Sequence, residues 1–317
     1  MRNLMKKALL TALIAGFMLF LLLHSAQAKE FAYLGLHTWF HQLIPSLLPF
    51  MILSGLLIRL NLISLFCKPF HLILRPLFRM SDACIYVLVT GFLCGFPMGA
   101  KNIADLYRQN RLTRDEAEFL LAFTNNIGPV YFLSFVLGNV YQTSEPLYGC
   151  LCQFLLPLGY GLFLRYSLYR TKIALPADAP KRPSRRSAES RPLVSFFDAL
   201  DESITGALVQ IAILGGYMIV FNLLALLASV FFRGNPYQCF AHSLLELSGG
   251  LEVLRQSDFP EESKLLLAHL ALSFNGLCCL FQTLHLIRDT DLSGQKYMLH
   301  KIILCSITLF VLVIGYK

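Results

Sequence analysis

The sequence predicts an all-α, polytopic membrane protein, built as an inverted-topology repeat with two re-entrant helical hairpins. Three observations predict it. Of the 317 residues 56% are hydrophobic and 15% charged, against about 25% charged in soluble domains, and mean hydropathy is +0.60. Apolar segments near the length of a bilayer crossing, about 20 residues, recur along the chain. Two shorter apolar stretches, 83–100 and 239–254, are interrupted by glycine where an ordinary span would keep Leu and Val.

The elements follow in order. Arg2, Lys6 and Lys7 precede an apolar run from Ala8 to Leu23, and Ala26-Gln27-Ala28 resembles a signal-peptidase site. Residues 1–28 are read as a retained first span, because further spans follow at once; with or without cleavage, residue 29 lies on the outer side. Full spans are then expected near 39–60, 118–138, 146–169, 200–231, 264–287 and 298–316, seven in all with the first. Taking 83–100 and 239–254 as hairpins that enter and leave on one side puts all but five of the 27 Lys and Arg on the inner side. The five are Lys29, Arg233, Arg255, Lys264 and Lys317. That bias is the one membrane orientation requires. A full crossing at 83–100 would invert it and place the basic loop 165–191 outside. The +8 net charge therefore belongs to short loops beside the bilayer, and nucleic acid is not an expected partner.

Residues 171–197, rich in Pro, Ser and Arg, read as a solvated cytoplasmic linker. It separates repeats at 35–170 and 198–317. Each repeat carries a span, a glycine-broken stretch, a charged link, and a second span with Asn and Gly near its middle. By the charge distribution the first hairpin opens inward and the second outward. In secondary transporters such an inverted repeat places the substrate at the midplane between halves.

The candidate site residues come from the breaks. Gly91, Gly95, Pro97 and Gly99 crowd one short stretch that ends in Lys101. Gly costs about 1 kcal/mol and Pro about 3 kcal/mol in a helix interior. Broken backbone at membrane depth survives where protein or a water-filled cavity satisfies it. Asn125, Asn126 and Gly128 lie well into a span, and Pro129 is expected to break the helix near residue 125. Two amides beside freed carbonyls suit a polar ligand, or else serve as glue between helices. In the second half Ser273, Asn275, Gly276 and Gln282 recur in the post-hairpin span; Asn275, Gln282 and His285 are spaced to share one helical face. Glu246 is an acid in the second broken stretch, a candidate for ion coupling or a rim carboxylate. Lys101 either meets an anionic substrate or anchors the inner face. Asn126 and Asn275 are expected to meet at one midplane site.

Chemistry of other kinds finds little support. The nine cysteines form no CxxC pair, so neither a disulfide framework nor a zinc site is expected. No HExxH, GxSxG or GxxxxGK[ST] pattern occurs, and no enzyme, metal or cofactor is expected. The partners expected are a small-molecule substrate and the lipid bilayer.

At these residues the chain resembles the YlbJ (SpoVV) family of sporulation integral membrane proteins, within the nucleoside-recognition or gate-domain superfamily. The likeness rests on Pro45-Ser46-Leu47-Leu48-Pro49-Phe50, Gly91 to Lys101, Leu112 to Ala117, Phe123 to Pro129, Gly249 to Val253 and Ser273 to Leu277. It runs in order from about residue 35 to 305. The resemblance implies a multi-pass protein of the mother-cell membrane around the developing spore that passes dipicolinic acid toward the forespore. It also implies paired re-entrant hairpins around a central site, as in concentrative nucleoside transporters, and a possible homo-oligomer. The chain departs from the family pattern at Asn275 and at Leu280, before Gln282, which bears on the substrate more than on the fold. A nucleoside permease and a non-transporting scaffold are the alternatives.

Overall fold

The computed structural model describes residues 2–133, 149, 151–173, 196–233 and 237–315. The described residues are helical and contain no strand. Five helices are long and apolar enough to cross a membrane: 3–23, 25–59, 196–231, 261–287 and 294–314. The chain is a multi-pass membrane protein. Parts of the expected spans 118–138 and 146–169, the expected outer loop 139–145 and most of the linker 171–197 lie outside the described residues.

Helix α1 (Arg2–Leu23) is apolar on all sides and none of its span is buried, as suits a helix bathed in lipid. A break at His24 leads into α2 (Ser25–Thr38), a single π turn over Trp39–Leu43, and α3 (Ile44–Arg59). Together these last three form one column of 35 residues. At 1.5 Å per residue it is about 50 Å long, well beyond an apolar core of about 30 Å. The expected span 39–60 is therefore only its second half. The single tryptophan fixes this column to its neighbour. Trp39 Nε1 donates to the Ile211 carbonyl at 2.7 Å, with Gly215 close beneath the indole.

Short helices α4 (Ile63–Cys67) and α5 (His71–Phe78) precede α6 (Asp82–Cys94), and the chain bends by 102° between 63–78 and 82–94. Helix α6 turns at Gly95–Pro97 into α7 (Met98–Arg108) and packs against it, forming the first hairpin. The turn needs glycine: Gly95 sits at φ 78° and ψ −173°, a region closed to other residues. Helix α8 (Arg114–Leu121) starts with a capping box between Thr113 and Glu116. It stops at Leu121, the chain runs non-helically through Gly128, and helix restarts at Pro129. The break expected near residue 125 is there, with Pro129 starting the new helix where its missing N–H costs nothing.

After α9 (Leu156–Tyr166) comes α10 (Phe196–Phe231), which at 36 residues is the longest described helix. Helices α11 (Tyr237–Leu245) and α12 (Leu247–Arg255) make the second hairpin. They close tightly because Gly250 lies against the Ser243 backbone, where a Cβ would come within 2.2 Å of its Cα. Helix α13 (Glu261–Phe274) then breaks at Asn275 before α14 (Gly276–Ile287), and α15 (Gly294–Gly315) follows. Among the described residues, each hairpin is followed by a helix interrupted at or just before an Asn: the first between Leu121 and Pro129, the second at Asn275. Polar bonds tie α7 and α8 to the second half. Lys296 Nζ reaches Glu118 Oε2 at 2.6 Å, the Tyr107 hydroxyl donates to Asp291, and Arg108 Nη2 donates to the Leu286 carbonyl at 2.6 Å. The main core gathers around the first hairpin and α8, where Phe78, Phe92 and Phe119 surround Phe123.

Candidate functional site

The two breaks and the first hairpin tip meet inside the bundle. The hairpin tip is held to the first break by its backbone: Phe96 N donates to the Asn126 carbonyl at 2.6 Å. Three glycines permit this approach. A Cβ on Gly95 would lie 2.3 Å from Gly128 N, on Gly99 2.7 Å from the Thr124 carbonyl oxygen, and on Gly128 2.8 Å from the Cys94 carbonyl oxygen. The Phe96–Pro97 peptide is cis. The glycine-rich run read from the sequence is therefore a seam where a helical hairpin lies backbone to backbone on a broken span.

Asn125 joins the halves. Its Nδ2 donates to Thr283 Oγ1 and to the Tyr297 hydroxyl, both at 2.9 Å, and its Oδ1 accepts from Ala100 N at 3.4 Å. Its carbonyl oxygen accepts from Asn275 Nδ2 at 3.1 Å. Asn126 Nδ2 turns back to the Phe123 carbonyl, while its Oδ1 accepts from Lys301 Nζ at 2.9 Å. The same ammonium donates to the Asn125 carbonyl at 2.6 Å. Asn275 therefore meets the peptide of Asn125 rather than the side chain of Asn126.

Asn275 is left-handed, at φ 70°, and Gly276 follows at φ 71°. That break separates Asn275 from Gln282 and His285, so the three do not share the single continuous helix face expected from their spacing. Of the other candidates, Ser273 points away and bonds Thr308 at 3.0 Å. Lys101 is buried and pairs with Asp105 one turn along its own helix, at 2.9 Å. It is neither an exposed anchor nor turned to the breaks.

A small cavity of about 60 Å³ lies between the two hairpin tips. Its polar lining includes Glu246, Ser248, Gln282, Ser46 and the Gly128 backbone, beside the thiols of Cys94, Cys278 and Cys279. That volume suits a few waters and is too small for a metabolite. Glu246 caps α12: its oxygens accept from Ser248 N at 3.1 Å and Gly249 N at 2.7 Å. It thus occupies a helix N-terminus, a place that favours negative charge. The Gln282 Oε1 and Asn275 Oδ1 atoms are buried without a hydrogen-bond partner among the described residues. An unpaired buried acceptor costs about 1–3 kcal/mol, so both oxygens suit a donor-bearing ligand.

Lys301 was missed by sequence reasoning, which counted it among the inner-side loop charges. It is 2% exposed and lies eight residues inside the helix of α15. The available signal was a lysine after Tyr297 and His300 within an apolar run, and the adjoining loop charges masked it. Moving one charge leaves the inner bias intact.

Residues 40–143 match the family model described as Gate, nucleoside recognition. Over 332 aligned positions the chain is 28% identical to the sporulation integral membrane protein YlbJ of Bacillus subtilis, covering 92% of this chain and 79% of that protein. No solved structure matches. The resemblance read from the motifs holds: the chain is YlbJ-like along nearly its whole length and carries the Gate signature on the hairpin and first break.

Proposed function

We propose that this YlbJ-like Gate-domain membrane protein is a transporter of a small polar or anionic metabolite, with the two repeats at 35–170 and 198–317 rocking about the central site. The supporting observation is the meeting of two broken helices, one from each half, beside a hairpin tip and a cavity lined by the Glu246 carboxylate and the unpaired Gln282 amide oxygen. Broken helices at membrane depth belong to binding sites in transporters. A scaffold has no need of them. The hairpins are read as re-entrant, so that movement of either tip opens the cavity to one side. Gly128, Glu246 and Gln282 would contact the substrate once it opens. Asn125, Asn126 and Asn275 would act by holding the breaks, and Gly95, Pro97 and Gly99 by shaping the tip.

By resemblance the substrate is dipicolinic acid, moved across the membrane surrounding a forespore, which joins this chain to the process named for its Bacillus relative. The Gate description favours a second reading, a nucleoside permease. The chain's chemistry is transport rather than catalysis on either reading. Purified protein in liposomes decides between them: labelled dipicolinate should enter protein-containing vesicles and exceed protein-free controls. Uptake of uridine with no uptake of dipicolinate would establish the permease. Entry of neither would favour the scaffold.

A further inference from the structure

Lys301 is buried deep in α15, within a candidate span, and forms no ion pair among the described residues. Its ammonium instead faces oxygens of the first break, the Asn125 carbonyl at 2.6 Å and Asn126 Oδ1 at 2.9 Å, and lies 5.8 Å from the Tyr297 ring centroid. The first is a backbone carbonyl in the non-helical stretch where α8 has stopped, and the second is a side-chain amide oxygen of the same stretch. Freed carbonyls just beyond a helix C-terminus carry partial negative charge and attract a cation. In ion-coupled transporters the unwound carbonyls of broken helices hold the coupling cation. Here a side-chain ammonium stands in that place. The Asn125 carbonyl also receives Asn275 from the second half, so the tethered charge sits where the two breaks touch.

We propose that Lys301 is a built-in cation that fills the ion position of the first break, so that this protein works without sodium. A soluble ion can bind and leave, and its gradient can drive the cycle. An ammonium on α15 cannot leave, so no sodium gradient can act through it. This inference rests on the transport reading for its consequence, but the occupancy itself is testable without transport.

The test uses full-length protein and sodium itself as the probe. Wild-type protein in detergent should melt at the same temperature in sodium chloride and in choline chloride, and should bind no radioactive sodium saturably. Lys301→Ala removes the ammonium and leaves its oxygens, so it should bind sodium saturably and melt higher as sodium chloride rises, because a ligand of the folded state stabilises it. Lys301→Met fills the same space without charge and should stay blind to sodium. Saturable sodium binding by the wild type, or a folded Lys301→Ala indifferent to sodium, would overturn the proposal. So would a Lys301→Ala that folds in neither salt, since sodium then fails to replace the ammonium. In liposomes, wild-type uptake that requires sodium sinks this inference and leaves transport standing. The expected sodium response without uptake of any probe sinks only transport.

Discussion

Gly95→Ala probes the seam on which the site depends. The new Cβ would sit 2.3 Å from Gly128 N and 2.6 Å from Gly128 Cα. Both are backbone atoms, and the same stretch is held to the tip two residues earlier, where Phe96 N donates to the Asn126 carbonyl. Relief therefore requires the hairpin tip to lift off the break. Two costs apply. Placing alanine at φ 78° and ψ −173° costs about 1–3 kcal/mol, and overpacking a tight contact costs about 1–3 kcal/mol. The total of about 2–6 kcal/mol is a large share of a typical stability of about 5–15 kcal/mol. Gly216→Ala is the matched control. It lies on α10 with open space around its Cβ position, so alanine there should be neutral or gain up to about 1 kcal/mol of helix propensity. Thermal melting of detergent-purified protein, followed by size-exclusion recovery, reads both. Gly95→Ala should melt well below wild type and Gly216→Ala at or above it. Equal melting of the two variants, with uptake intact in Gly95→Ala, would refute the backbone seam as the basis of the site.

Two further outcomes are expected. Asn126→Leu removes an acceptor of Lys301 and the bond to the Phe123 carbonyl, so uptake into liposomes should be lost while most protein stays in the membrane; disappearance of the protein would mark the amide as structural glue. Single cysteines in a cysteine-free background should label from opposite sides at position 110, after the first hairpin, and position 258, after the second; labelling of both from one side would end the inverted repeat.

The class, the two broken stretches and the break at Asn125–Gly128 were legible in the sequence because each has a local cause. Bilayer thickness sets the length of apolar runs, charge bias sets their direction, and Gly and Pro spoil a helix wherever they stand. Asn125 and Gly128 beside Pro129 could announce the first break without any knowledge of neighbours, whereas Asn275 and Gly276 read as part of one continuous span and their break came only with the structure. What the breaks touch is another matter. Only the fold brings the Asn125 carbonyl under both Asn275 and Lys301, across 150 and 176 residues of chain. The Lys101–Asp105 pair is a local one-turn contact, but only the fold buries it, and only the fold ends the shared face of Asn275 with Gln282 by turning Asn275 left-handed. Lys301 looked like a loop charge because sequence records distance along the chain. Its burial follows from α15 packing beside α13 and α14, a contact set by the shape of both halves together. Local chemistry decides where a helix must break; packing decides which charge answers the oxygens that the break exposes.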